Sequence, residues 1–176
     1  MIVQPADPMR NYLAHKEEID KAICTVLESG RYILGAQVVS FEREFASYLE
    51  ADGVVGVGNG TDALVLALRA CDVKRDDLVV TVSHTAVATV AAIEIVGAMP
   101  VLVDINPDTY TIDVERLADT IADIKRSSVQ GRKLKAVIPV HLYGNPADML
   151  AIVDLARQYG LYVFCLLYTS PSPRDS

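Results

Sequence analysis

Val54-Val55-Gly56-Val57-Gly58-Asn59-Gly60-Thr61-Asp62-Ala63-Leu64 joins a short β-branched run to a helix-like one across three glycines. The composition of residues 54–57 is that of a buried strand, and the spacing predicts a helix over 61–70. Outward from this junction the alternation continues. Strands are expected at 78–82, 100–103, 135–140 and 161–164. Helices are expected at 85–96, at 113–124 with Asp113 as N-cap, and at 146–159 with Pro146 in its first turn. Apolar strands alternating with helices describe an α/β layer fold with a mostly parallel sheet. Upstream, residues 14–27 read as an amphipathic helix stopped by Gly30, and 38–49 as a second one after a turn at 31–35. Phe41, Phe45 and Tyr48 share one face of that second helix and are expected in the core. The polar, basic stretch 125–133 reads as a surface loop.

The chain has 176 residues, 51% of them hydrophobic, which is material for one sizeable core: one domain or part of one. A net charge of -7 argues against nucleic acid or an anionic membrane as main partner. It leaves an anionic ligand open, because a few local donors can hold a phosphate inside an acidic protein. The three cysteines, Cys24, Cys71 and Cys165, form no CxxC pair and no zinc-like grouping with the three histidines. Free thiols in a reducing cytoplasm, and no metal site, are expected. The N-terminus lacks the basic start and apolar run of a signal peptide. No stretch reaches the roughly 18 uninterrupted apolar residues of a membrane span.

The glycine-rich junction is the best chemical motif. Glycines permit tight turns and close ligand approach. The first amides of a helix have no internal partners and sit at the positive end of its dipole, so a phosphate fits there. Thr61 could add a hydroxyl as cap or as ligand donor, and Asp62 could offer its backbone N–H with its side chain turned away. The spacing is G-x-G-x-G, not the G-x-G-x-x-G of a dinucleotide fold, and the P-loop lysine is absent. A purely structural turn explains the glycines as well.

Six blocks then occur in a characteristic order: Tyr32-Ile33-Leu34-Gly35 with Phe41-Glu42-Arg43-Glu44-Phe45-Ala46; GNGTDAL at 58–64; SHTAVATVAAI at 83–93; PVLVDINPDTYTID at 100–113; and VHLYGNPADM at 140–149. In this the chain resembles the DegT/DnrJ/EryC1/StrS aminotransferases over residues 1–164. The resemblance implies the aspartate-aminotransferase-like (type I) fold, here the N-terminal part of its large domain, and pyridoxal 5'-phosphate (PLP) as cofactor. It implies that Gly60, Thr61 and Asp62 hold the cofactor phosphate. His84 would lie over the ring, because Ala86 stands at a position where the family often carries an aromatic. Tyr32, Gly35, His141 and Tyr143 would face the substrate. Substrates of the family are nucleotide-linked keto sugars; the 83–93 block is similar to that of members acting on dTDP-3-keto-6-deoxyhexoses. Glutamate as amino donor, a homodimer and a cytoplasmic location are implied likewise.

Such an enzyme needs a lysine to carry the cofactor and move the proton, and an acid to face the pyridine nitrogen. In the family both follow the strand corresponding to 161–164. Lys74, Lys125, Lys133 and Lys135 match no such context and read as surface lysines. No catalytic residue is therefore assigned, and this chain alone is expected to be inactive. After Phe164 the sequence turns to CLLYTSPSPRDS. Residues 165–175 resemble the in-frame translation of a transposon-based sequencing adapter, so 165–176 are expected to be a non-native or disordered tail. Two other functions stay open at this point: a PLP-dependent sugar dehydratase of the same fold, with histidine in place of the lysine, and a non-catalytic ligand-binding module.

Overall fold

The computed structural model describes residues 7–127 and 132–167. Most of the tail expected at 165–176, and part of the expected loop at 125–133, lie outside the described residues. Two compact units divide the chain, Met1–Gly56 and Val57–Ser176.

The first unit is helical. Helix α1 (Pro8–Ala14) begins at Asp7, whose carboxylate accepts from the Arg10 N–H at 3.0 Å. Helix α2 (Lys16–Ser29) ends at Gly30, which adopts the left-handed conformation at φ 66° that glycine supplies cheaply. Helix α3 (Ala36–Leu49) carries Phe41, Phe45 and Tyr48 in a stacked row, with centroids 5.4 and 6.3 Å apart. The shared face expected from the spacing is present, but its place in a core is not: the three rings are 56, 40 and 81% exposed. Within this unit no helix buries a residue.

Residues 54–57, expected as a buried strand, form none, and Val55 is 77% exposed. The β-branched composition is there, but among the described residues no strand lies alongside to take its amides and carbonyls, and an isolated strand has no partner to stabilise it. The Gly56 N–H is held instead by the Glu42 carboxylate at 2.7 Å.

The second unit is the α/β layer. Its helices are α4 (Gly60–Ala70), α5 (Val87–Ile95), α6 (Val114–Ser127) and α7 (Met149–Tyr159). Its main strands are β1 (Leu78–Val82), β2 (Met99–Val103), β3 (Leu134–Ile138) and β5 (Tyr162–Val163), all parallel, in the order β2-β1-β3-β5. From β1 the chain passes through α5 to β2 on one side; it then crosses back through α6 to β3 on the other. A constant crossover hand places helices on opposite faces when the direction reverses, and two cores result. Leu78, Val80 and Val82 of β1 pack with Leu117 and Ile121 of α6 and Ile152 of α7. Val79 packs with Leu64 and Leu68 of α4 and with Ala92 and Ile93 of α5. Strand alternation thus feeds both layers, and α6 buries Leu117 and Ile121 completely, one turn apart. Thr81, also fully buried, donates its hydroxyl to the Ile138 carbonyl at 2.9 Å.

The strand expected over 135–140 is split. Pro139 has no N–H for the ladder, and after it β4 (Val140–His141) pairs in parallel with β6 (Leu166–Leu167). Leu166 and Leu167 are therefore a strand of this second, two-stranded sheet and not part of a tail: the Leu166 N–H bonds to Pro139 O at 3.0 Å, and Leu166 packs against both cores. Helix α7 starts three residues later than expected, so Pro146 lies outside its first turn: Asp148 caps it, accepting from the Ala151 N–H at 3.1 Å. Asp113 caps α6 as expected, accepting from the Arg116 N–H at 3.0 Å. No helix among the described residues is long and apolar enough to cross a membrane, and none of their His, Cys, Asp and Glu side chains form a group that could hold a metal.

Candidate active site

In an open parallel sheet, ligands gather beyond the carboxyl ends of strands, where the chain turns away in opposite directions from two neighbours. Here that point lies between β1, which leads outward to β2, and β3, which leads to β5. His84 follows β1 and Tyr143 follows β4, and the two side chains meet there. Tyr143 Oη lies 3.3 Å from His84 Nε2, with ring centroids 5.9 Å apart and planes tilted by 58°. Both residues are exposed at this mouth. The loop after β2 forms its flank, with Ser83 Oγ 3.5 Å from Asp104 Oδ1. Asp104 and Asn106 are turn residues: Asn106 Oδ1 accepts from the N–H groups of Asp108 at 2.9 Å and Thr109 at 3.3 Å.

His141, expected beside Tyr143 facing a ligand, has both nitrogens engaged within the chain. Nδ1 accepts from the Ala147 N–H at 2.9 Å, so a neutral ring carries its proton on Nε2, which meets Cys165 Sγ at 2.8 Å. Desolvation pushes the Cys165 thiol above its ordinary range. No local signal points to this pair, because 24 residues separate its members.

At the head of α4 the cap is Asn59, not Thr61. Asn59 Oδ1 accepts from the Asp62 N–H at 2.9 Å, and its Nδ2 donates to Asp62 Oδ2 at 2.9 Å. The first is an N-cap bond to the N3 amide; the second joins the two side chains and does not reach the Asn59 backbone N–H, so it is not the reciprocal bond of a capping box, and the Asn-x-x-Asp spacing was the pair's legible sign. The Asp62 amide is thereby occupied by the cap, and its carboxylate is held toward Asn59. What stays open are the amides of Gly60 and Thr61 and the Thr61 hydroxyl, which make no hydrogen bond among the described residues. A Cβ built on Gly60 meets nothing within 4 Å, so internal crowding is not what keeps this residue a glycine. Two amides and a hydroxyl at a positive helix end suit a phosphate. No hydrogen bond or ring contact joins this turn to His84, Tyr143 or His141 among the described residues.

In the helical unit, Tyr32 donates its hydroxyl to Leu27 O at 3.2 Å, and a Cβ on Gly35 would fall 2.9 Å from Arg31 O. Glycine is thus required at 35 by the turn itself. Both residues line a cleft of about 320 Å³ between the end of α2 and the start of α3, with Thr25, Ser29 and Gln37.

The profile of the DegT/DnrJ/EryC1/StrS aminotransferase family matches residues 14–165. The chain belongs to this family. It is 43% identical over 148 residues to a dTDP-3-amino-3,4,6-trideoxy-alpha-D-glucose transaminase of Streptomyces venezuelae, covering 84% of this chain and 37% of that protein. It is 42% identical over 151 residues to a dTDP-3-amino-3,6-dideoxy-alpha-D-galactopyranose transaminase of Aneurinibacillus thermoaerophilus, covering 86% and 39%. Among solved structures, S. venezuelae DesV superposes with a TM-score of 0.81 at 40% identity over 90% of this chain and 40% of that one. NtdA of Bacillus subtilis, solved with bound cofactor PMP (the pyridoxamine form), superposes at 0.76 with 30% identity, over 86% and 33%. The fold is therefore that of the PLP aminotransferases, and the chain spans about two fifths of the length of the relatives it matches.

Proposed function

We propose that this chain is the N-terminal part of a PLP-dependent aminotransferase that passes an amino group from glutamate to a dTDP-3-keto-6-deoxyhexose, acting in the cytoplasm as a homodimer. The observation that carries the reading is the match across residues 14–165 to transaminases of dTDP-amino sugars. The donors at the head of α4 fit the cofactor: Gly60 and Thr61 offer two amides and a hydroxyl to its phosphate, while Asn59 holds the Asp62 carboxylate by its amide. His84 offers an imidazole to its ring at the switch point. Bound there, the cofactor supplies an electron sink for amino transfer. Tyr32 and Gly35 form part of the substrate wall, and the lysine and ring-facing acid belong to sequence that replaces 165–176 in the parent protein. This chain alone is inactive for want of that lysine.

Titration with pyridoxal 5'-phosphate and with pyridoxal, followed by absorbance, tests the cradle. The phosphate-bearing form binds more tightly, and Thr61→Ala removes most of the difference. Equal affinity for the two compounds refutes it. Amination of a dTDP-keto sugar by the chain alone would overturn the predicted inactivity. Sequencing the source DNA beyond the Phe164 codon tests the tail: the expected result is an acidic stretch and a later lysine, and a histidine at the lysine position makes the parent a dehydratase.

A further inference from the structure

The turn that carries Tyr143 is built in an unusual way. Tyr143 has φ 55° and Gly144 φ 76°, and the Asn145 N–H closes onto Leu142 O at 2.9 Å. Two successive left-handed residues within an i to i+3 bond are the pattern of a type I′ turn, whose first central place favours Asn, Asp or Gly over a large aromatic. A bulky side chain with positive φ persists only where its surroundings fix it. Here they do. Leu142 and Ala147 anchor the two ends in the core at 4% exposure each. Asn145 Nδ2 donates to Thr109 O at 2.8 Å, and the Ala147 N–H is held by His141 Nδ1 at 2.9 Å. This pinned, costly turn presents a tyrosine that is 67% exposed and packs into no core. The polar contact of its hydroxyl is His84 Nε2 at 3.3 Å, at the long end of hydrogen bonding.

We infer that Tyr143 is a positioning residue for His84. An exposed imidazole turns broadly about its last torsion. The Tyr143 hydroxyl takes one edge nitrogen, and the tilted phenol blocks one direction of rotation. The His84 ring is left with a fixed orientation and an open face at the switch point. Stacking geometry is directional, so a held imidazole receives a planar heteroaromatic ring with less ordering cost than a free one. Tyr143 thereby acts through His84 and need not touch the ligand. The inference rests on the reading that His84 serves the cofactor ring.

The test uses the 176-residue chain with ¹⁵N-labelled histidine. Ring-nitrogen NMR of wild type and Tyr143→Phe is compared, and His84→Gln assigns the signal. Removing the hydroxyl is expected to shift the His84 ring nitrogens toward those of His15, whose imidazole makes no hydrogen bond among the described residues. The His141 signals stay in place and report that the turn is intact. Unchanged His84 signals in Tyr143→Phe overturn the inference. A second measurement titrates pyridoxamine 5'-phosphate into wild type, Tyr143→Phe, His84→Ala and the double variant. Tyr143→Phe is expected to weaken binding about 2- to 10-fold, the worth of one ordinary hydrogen bond, and to have no effect in the His84→Ala background. An equal loss in both backgrounds means Tyr143 meets the ligand directly and overturns the positioning role. If the NMR shift occurs but no protein binds the probe, the cofactor reading fails while the Tyr143–His84 coupling stands.

Discussion

Replacing Asn59 by alanine tests whether the head of α4 is built as described. The substitution removes two hydrogen bonds at once: the 2.9 Å bond from the Asp62 N–H, and the 2.9 Å bond from Asn59 Nδ2 to the Asp62 carboxylate. Loss of an N-cap acceptor costs about 1 kcal/mol, within a range of roughly 0.5–2. The second bond is exposed and adds at most a few tenths. Asn59→Ala should therefore lower unfolding free energy by about 1 kcal/mol, or the melting temperature by roughly 2–4 °C for a chain of this size. Asn59→Gly should lose only a few tenths, because glycine leaves the helix end open to water. Asn59→Asp keeps the acceptor but sets a second carboxylate against Asp62, so its deficit should shrink as salt rises. Urea unfolding followed by circular dichroism measures all three. An Asn59→Ala variant within 0.3 kcal/mol of wild type, or one no less stable than Asn59→Gly, would refute the cap, and with it the argument that Asn59 takes the Asp62 amide away from a ligand.

Three further outcomes follow from the second unit. Ile121→Ala, at a site with no exposure, should destabilise by about 2–5 kcal/mol in the same assay, while Asp123→Ala on the outer face of α6 should stay within about 0.5. Thr81→Val keeps the shape and strand preference but leaves the Ile138 carbonyl short of its buried 2.9 Å donor, for a loss of about 1–3 kcal/mol; a variant as stable as wild type would show that bond to be dispensable. The raised Cys165 thiol favours the protonated form in the folded chain, so its contribution is whole below the ordinary thiol range and is lost as pH climbs from that range through the raised folded value. Cys165 is itself exposed, so the raised thiol alone is tested: iodoacetamide at mildly alkaline pH should modify Cys165 more slowly in the folded chain than in urea, and equal rates contradict the desolvation.

The alternation of the second unit could be read from the chain because its strands are short, apolar and separated by helices. Residues 78–82 have the same bounds in both readings, since both faces of β1 are buried and every position is apolar or Thr. Where sequence signals are local, as with Gly30 after α2 or Asp113 before α6, they hold because a cap depends only on residues three or four away. The phosphate-suited turn was legible for the same reason, and its real cap lay in the Asn59–Asp62 spacing.

Partnership across distance was not legible. Residues 54–57 have strand composition, yet a strand exists only where another chain segment takes its hydrogen bonds, and none lies alongside among the described residues. The aromatic row of α3 was recognisable as one face, but whether a face is buried depends on what packs on it. His84 and Tyr143 stand 59 residues apart in the chain. The sequence by itself determined an alternating α/β order and a helix head with open amides, because these arise from neighbours along the backbone. Only the tertiary structure decided that the two rings meet, that both His141 nitrogens are engaged within the chain and that Leu166 pairs with β4 in a second, two-stranded sheet, because those contacts join segments far apart in the chain, which no local pattern encodes.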